Sequence, residues 1–162
     1  MNVYLIIGNA NTGKSSVIQH LVGFPYERKK IQTPFGKKKP IRNKKLETST
    51  SNIIISFYTD QSLQEISESP KDFVSFIGNL SEKPTNLILA LRLKKYGRYP
   101  DAVTYITFFN KVKWTIIKSV VLDDCGTTPY PNIPNVLSIR SRKGTDSTNK
   151  VAAAVRKHFD WI

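Results

Sequence analysis

Gly8-Asn9-Ala10-Asn11-Thr12-Gly13-Lys14-Ser15 is the stretch whose reading decides the fold. Its glycines let the backbone curl tightly, so that successive amide N–H groups can face one anion. Before it, Val3-Tyr4-Leu5-Ile6-Ile7 is a short apolar, β-rich run, the pattern of a buried strand. After it, Val17, Ile18, Leu21 and Val22 recur at the spacing of one helix face, and Gly23 with Pro25 stops that helix. A helix starting at Lys14 adds the positive end of its dipole to the turn.

The stretch matches G-x-x-x-x-G-K-[ST], and in this strand–loop–helix order the chain resembles the P-loop nucleoside triphosphatase superfamily over residues 3–22. The resemblance implies ATP, with GTP less expected, cradled by Gly8, Asn9, Ala10, Asn11, Thr12, Gly13, Lys14, Ser15 and Ser16. It gives Lys14 the β- and γ-phosphates and Ser15 a Mg²⁺ ion.

Further along, hydrophobic runs alternate between strand and helix patterns. Strands are expected at 2–7, near 41–47, and at 52–58, 86–93, 115–122 and 136–139. Helices are expected at 14–22, from Ser69-Pro70 to Gly78, from Pro100-Asp101, and after Asp146 or Ser147. Ser69 as N-cap, Pro70 at the first position and Asp72 in the capping-box place make the second of these the clearest helix start. Val103, Ile106 and Phe109 are expected along one face of the third helix. Val151, Ala154, Val155 and Phe159 are expected on the fourth, with Trp161 packing its end. Alternation of this kind means an α/β fold: a three-layer sandwich with a mainly parallel sheet and helices on both faces. One domain over residues 1–162 is expected, without repeats or a long linker.

Charge is the second clue. Lys and Arg total 25 against 12 acidic residues, a net charge of +13. Such bias suits an anionic partner. Arg28, Lys29, Lys30, Lys37, Lys38, Lys39, Arg42, Lys44 and Lys45 crowd the segment 26–45, which Pro34, Gly36 and Pro40 break, so a basic loop is expected there. Tyr26 and Phe35 lie in or beside it, and aromatics among cations can stack on bases while the cations hold phosphates. Arg92, Lys94, Lys95 and Arg98, with Tyr96 and Tyr99, form a second basic stretch; Arg140, Arg142 and Lys143 form a third. These stretches read as a nucleic-acid surface, DNA being the favoured polymer, or as solvated faces. The single Cys125 excludes a disulfide framework and fits a reducing cytoplasm, or a host's cytoplasm for a viral chain. No apolar run approaches a membrane span, and with the first strand starting at Asn2 no signal peptide is expected.

Ligands of open parallel sheets bind at the carboxyl ends of the strands. Asp60, after the 52–58 strand, is the candidate general base, with helix capping as its plain alternative. Asp123, with Asp124, follows the apolar run Val120-Val121-Leu122 and is the metal-side candidate, or a polar turn. Similarity to P-loop kinases makes Arg92 and Arg98 candidate lid arginines that stabilise the migrating phosphoryl group, and Arg140 and Arg142 candidates to stack on the adenine. His20 and His158 read as structural, and two separated His with one Cys make no zinc set.

Guanine specificity is not expected: Asn110-Lys111-Val112-Lys113 lacks the Asp of N-K-x-D, and Asp60-Gln61-Ser62-Leu63 lacks the Gly of D-x-x-G. A helicase or packaging motor needs more chain and an hhhhDE pair. What remains is a small P-loop kinase. Because +13 is more than a metabolite acceptor needs, the expected acceptor is a hydroxyl on nucleic acid, at a 5′ end or on a hydroxymethylated base. The chain is similar in size, loop and charge to small phage kinases of 5-hydroxymethyluracil in DNA. A nucleic-acid-binding NTPase or switch without transfer, and a small-metabolite or nucleotide kinase, are the alternatives.

Overall fold

The computed structural model describes residues 1–22, 27–32, 38–48, 51–58, 69–80, 83–97, 100–123, 129–140 and 148–161. In chain order the elements are β1 (Asn2–Gly8), α1 (Lys14–Val22), β2 (Glu27–Gln32), β3 (Lys38–Thr48), β4 (Ser51–Tyr58), α2 (Pro70–Gly78), β5 (Asn86–Arg92), α3 (Ala102–Lys111), β6 (Thr115–Asp123), β7 (Val136–Arg140) and α4 (Thr148–His158). They build one seven-stranded sheet in the order β2-β3-β4-β5-β1-β6-β7. The run β5-β1-β6-β7 is all parallel, β4 extends it in parallel, and β2 and β3 are antiparallel additions at one edge. The α/β class and the mainly parallel sheet are therefore as the sequence pattern indicates.

Strand parity sorts the core onto two faces, because successive side chains in a strand point to opposite sides. Val3, Leu5 and Ile7 of β1 share a cluster with Phe73, Phe76 and Ile77 of α2 and Tyr105, Ile106 and Phe109 of α3. Ile6 joins Val17, Ile18 and Leu21 of α1 and Val151 and Val155 of α4 on the other side. Among the described residues two helices lie against each face, an arrangement compatible with a three-layer sandwich. β1 and β5 are apolar on both faces, as strands covered twice must be.

Helix ends follow local chemistry. The Ser69 hydroxyl accepts from the Asp72 amide at 3.2 Å and donates to the Asp72 carboxylate at 2.7 Å, closing the start of α2. Asp101 caps α3 through the Thr104 amide at 2.8 Å. Trp161 packs as expected, its ring 4.8 Å from Tyr4 and 5.0 Å from Phe159.

Some expectations need correction. The segment 26–45 is largely a two-stranded antiparallel pair, with Arg28 opposite Arg42 and Lys30 opposite Pro40. Pro40 fits because, among the described residues, β4 pairs with β3 only from Arg42 onward. Lys37 lies outside the described residues; Arg28, Lys29 and Lys30 fall on β2, and Lys38, Lys39, Arg42, Lys44 and Lys45 on β3. Val103 is exposed, since α3 buries Ala102, Tyr105, Ile106 and Phe109 instead. Ala154 is exposed as well, with Ala152 taking the inward position on α4. The proposed caps Asp146 and Ser147 lie outside the described residues.

Candidate functional site at the carboxyl edge of the sheet

β1 ends at Gly8, level with Arg92 of β5 on one side and Leu122 of β6 on the other. Asp123 is the next residue of β6 and pairs in register with Arg140 of β7. The topology thus brings Arg92, Asp123 and Arg140 to the same sheet edge as the loop 8–15. Arg140 is exposed and Asp123 is buried. Asp60, Arg98, Asp124 and Arg142 lie outside the described residues.

The loop's shape follows from its residues. Asn11 has φ 63° and Gly13 φ 85°, both in the left-handed region. Glycine enters it freely, and asparagine is among the few other residues that do so routinely. Thr12 Oγ1 donates to the Asn9 carbonyl at 3.0 Å and fixes the bend. Lys14 opens α1 yet is only 4% exposed, and its Nζ donates to the carbonyls of Gly8 at 3.0 Å and Asn9 at 2.7 Å. A buried ammonium needs such partners, and here it is held across the mouth of the loop. Ser15 and Ser16 follow on the first turn, and the Val17 amide donates to the Gly13 carbonyl at 2.9 Å as the helix begins. A left-handed turn, a helix N-terminus and a buried cation thus meet in one loop.

Gly8 is required by close approach. A β-carbon there would collide with Thr12 Oγ1 and lie 2.9 Å from the Leu122 carbonyl oxygen. The second contact is backbone on a central strand and cannot swing aside. Gly8→Ala is expected to cost about 1–3 kcal/mol in urea unfolding, the scale of overpacking, and to reshape the loop; an unchanged midpoint would show that the loop has slack.

The Asp123 carboxylate is organised by two hydroxyls the sequence reading did not single out. Tyr130 donates to its Oδ2 at 2.7 Å and Ser138 to the same oxygen at 3.1 Å. Tyr130 sits between Pro129 and Pro131, seven residues past Asp123, and Ser138 interrupts the β7 run Val136-Leu137-Ser138-Ile139. A hydroxyl inside an otherwise apolar strand was the available signal for Ser138; for Tyr130 no local pattern existed.

Arg92 leaves β5 with its guanidinium 4.7 Å from the centre of the Tyr96 ring. The Leu93 amide donates to the Gly8 carbonyl at 3.3 Å, tying this exit to the loop. The two histidines have backbone partners: His20 Nδ1 lies 2.9 Å from the Ser16 carbonyl, and His158 Nε2 3.1 Å from that of Ser119. Asn110 and Lys111 end α3, ahead of β6 and therefore at the opposite edge from the loop. Among the described residues no helix is long and apolar enough to cross a membrane. Comparison with known protein families found no matching family, and comparison with curated proteins found no matching relative.

Proposed function

We propose that the chain is a P-loop kinase that transfers the γ-phosphoryl group of ATP to a hydroxyl on nucleic acid. The observation that carries the reading is the loop itself. A left-handed Asn11–Gly13 turn and a buried Lys14 follow a strand end that is level with Arg92 and with Leu122, the residue before Asp123. In this reading the loop amides and Lys14 hold the β- and γ-phosphates, and Arg92 offsets charge on the group in flight. Arg140, exposed at the end of β7, would stack on the adenine.

The donor set suits Mg²⁺, which takes hard oxygen ligands: the Ser15 hydroxyl and the buried Asp123 carboxylate, the latter oriented by Tyr130 and Ser138. When bound, the ion supplies positive charge to the β- and γ-phosphate oxygens. Asp60 takes the proton of the acceptor hydroxyl as its oxygen bonds to the γ-phosphorus, the bond to the bridging oxygen breaks, and ADP leaves.

The acceptor follows from charge. Eight basic residues fall on β2 and β3, with Arg28 and Arg42 at paired positions of the register. Basic residues on the edge strand β2 also discourage edge-to-edge pairing with another sheet. Together with the net +13 they favour a polyanion over a small metabolite. Guanine reading gains no support, since Asn110 and Lys111 stand at the far edge of the sheet.

Asp60→Asn tests the assignment of the base. Phosphoryl transfer is expected to fall by about 10²–10⁴, the usual worth of a general base, while affinity for the polymer stays at the wild-type value. Transfer that persists in this variant removes Asp60 from the mechanism.

A further inference from the structure

Tyr96 is a large side chain left 63% exposed. Its place is set by the chain around it. β5 ends at Arg92 in register with Gly8, and the following Leu93 amide is hydrogen-bonded to the Gly8 carbonyl. The chain then passes through exposed Lys94 and Lys95, and Gly97, at φ 56°, turns it back just after the tyrosine. The segment that carries the ring thus leaves the sheet from a strand end tied to the loop 8–15, and the Arg92 guanidinium packs over the ring at 4.7 Å.

An aromatic surface is costly to leave in water, and a guanidinium on the ring steadies it by a cation–π contact. The flanking ammonium groups attract phosphates. Ring, arginine and two lysines within five residues combine the two elements that hold unpaired nucleotides: a stacking surface for a base and cations for the backbone. A base inside a duplex could not present its face here without leaving its stack.

We propose that Tyr96, steadied by Arg92, is a stacking platform for an unpaired base of the acceptor strand, beside the site of transfer. This rests on the nucleic-acid reading above and adds what it lacked, namely that the acceptor is engaged as a single strand.

The test is equilibrium titration of a single-stranded DNA oligonucleotide containing 2-aminopurine across a range of KCl. The RNA of the same sequence and the matching duplex are run in parallel, as is ATP. Tyr96→Ala is expected to weaken single-strand binding about tenfold and to abolish the added quenching of 2-aminopurine. The slope of log K against log salt should stay unchanged, because stacking releases no counterions. Tyr96→Phe should retain wild-type affinity, and ATP affinity should be the same in all three proteins. RNA bound like DNA is equally in accord, since stacking does not read the 2′-hydroxyl. The exposure of the ring means that neither variant should shift the thermal midpoint. The platform is overturned if Tyr96→Ala binds and quenches like wild type, if Tyr96→Phe fails as Tyr96→Ala does, if ATP affinity falls in parallel, or if the duplex binds more tightly than the single strand. A wild-type protein that binds no polynucleotide overturns the nucleic-acid reading and the platform with it. Wild-type binding that survives Tyr96→Ala removes the platform alone.

Discussion

Lys14→Ala will lower ATP turnover by about 10²–10³, the loss that follows removal of one preorganised charge donor from a transition state. The argument is geometric. The Lys14 ammonium is 4% exposed and donates to the Gly8 and Asn9 carbonyls, so it is desolvated and held at the loop it would serve. A γ-phosphate arriving there competes for the same ammonium, and the charge that develops during transfer strengthens that contact. Alanine removes it entirely. Arginine is no substitute, since its planar fork cannot sit where a compact ammonium reaches two loop carbonyls. The fold should survive: the Gly8 carbonyl keeps the Leu93 amide and the Asn9 carbonyl keeps Thr12 Oγ1. The expected stability loss is about 1.5–3 kcal/mol, the scale of a hydrogen bond to a charged group. ATP binding and turnover measured on a variant with a native thermal transition check the prediction; unchanged values would remove Lys14 from the site.

The second large effect concerns the core. Phe73 is fully buried, and its ring centre lies 6.5 Å from that of Tyr105 and 6.4 Å from those of Phe109 and Trp114. It lies in the cluster that joins α2 and α3 to the sheet. Phe73→Ala should cost about 3–5 kcal/mol, a large share of the roughly 5–15 kcal/mol available to a domain. The urea midpoint should fall accordingly, with Phe73→Leu losing less than half as much. A small change would mean that this cluster packs loosely. Nucleotide affinity at low temperature, where the variant is still folded, should be unaffected, because Phe73 shares a cluster with none of the loop residues.

The sequence was most legible where local and long-range signals agreed. Residues 2–22 declared strand, turn and helix in one unbroken pattern, and the capping chemistry of Ser69, Pro70 and Asp72 marked α2 to the residue. It was least legible where charge displaced hydrophobic alternation. The β2–β3 pair carries lysine and arginine at positions where periodicity would otherwise announce a strand, and its pairing is set by neighbours distant in sequence. Faces of short helices were misjudged for a related reason: the buried side of α3 turns on Ala102 and Tyr105, which a count of aliphatic residues passes over in favour of Val103. At the candidate site, strand ends announced Arg92, Asp123 and Arg140 through topology alone. The hydroxyls that orient Asp123 come from Tyr130 and Ser138, one in a proline turn and one on β7, and only the folded register brings them to one oxygen.

The central claim is transfer of the γ-phosphoryl group to nucleic acid at the 8–15 loop. Its most direct test incubates the protein with γ-labelled ATP, Mg²⁺ and separate pools of single-stranded DNA, duplex DNA, hydroxymethylated DNA and RNA, and then follows the label. The account predicts label on a polymer hydroxyl, lost in Lys14→Ala. Label found only in free phosphate, or on no polymer at all, would contradict it.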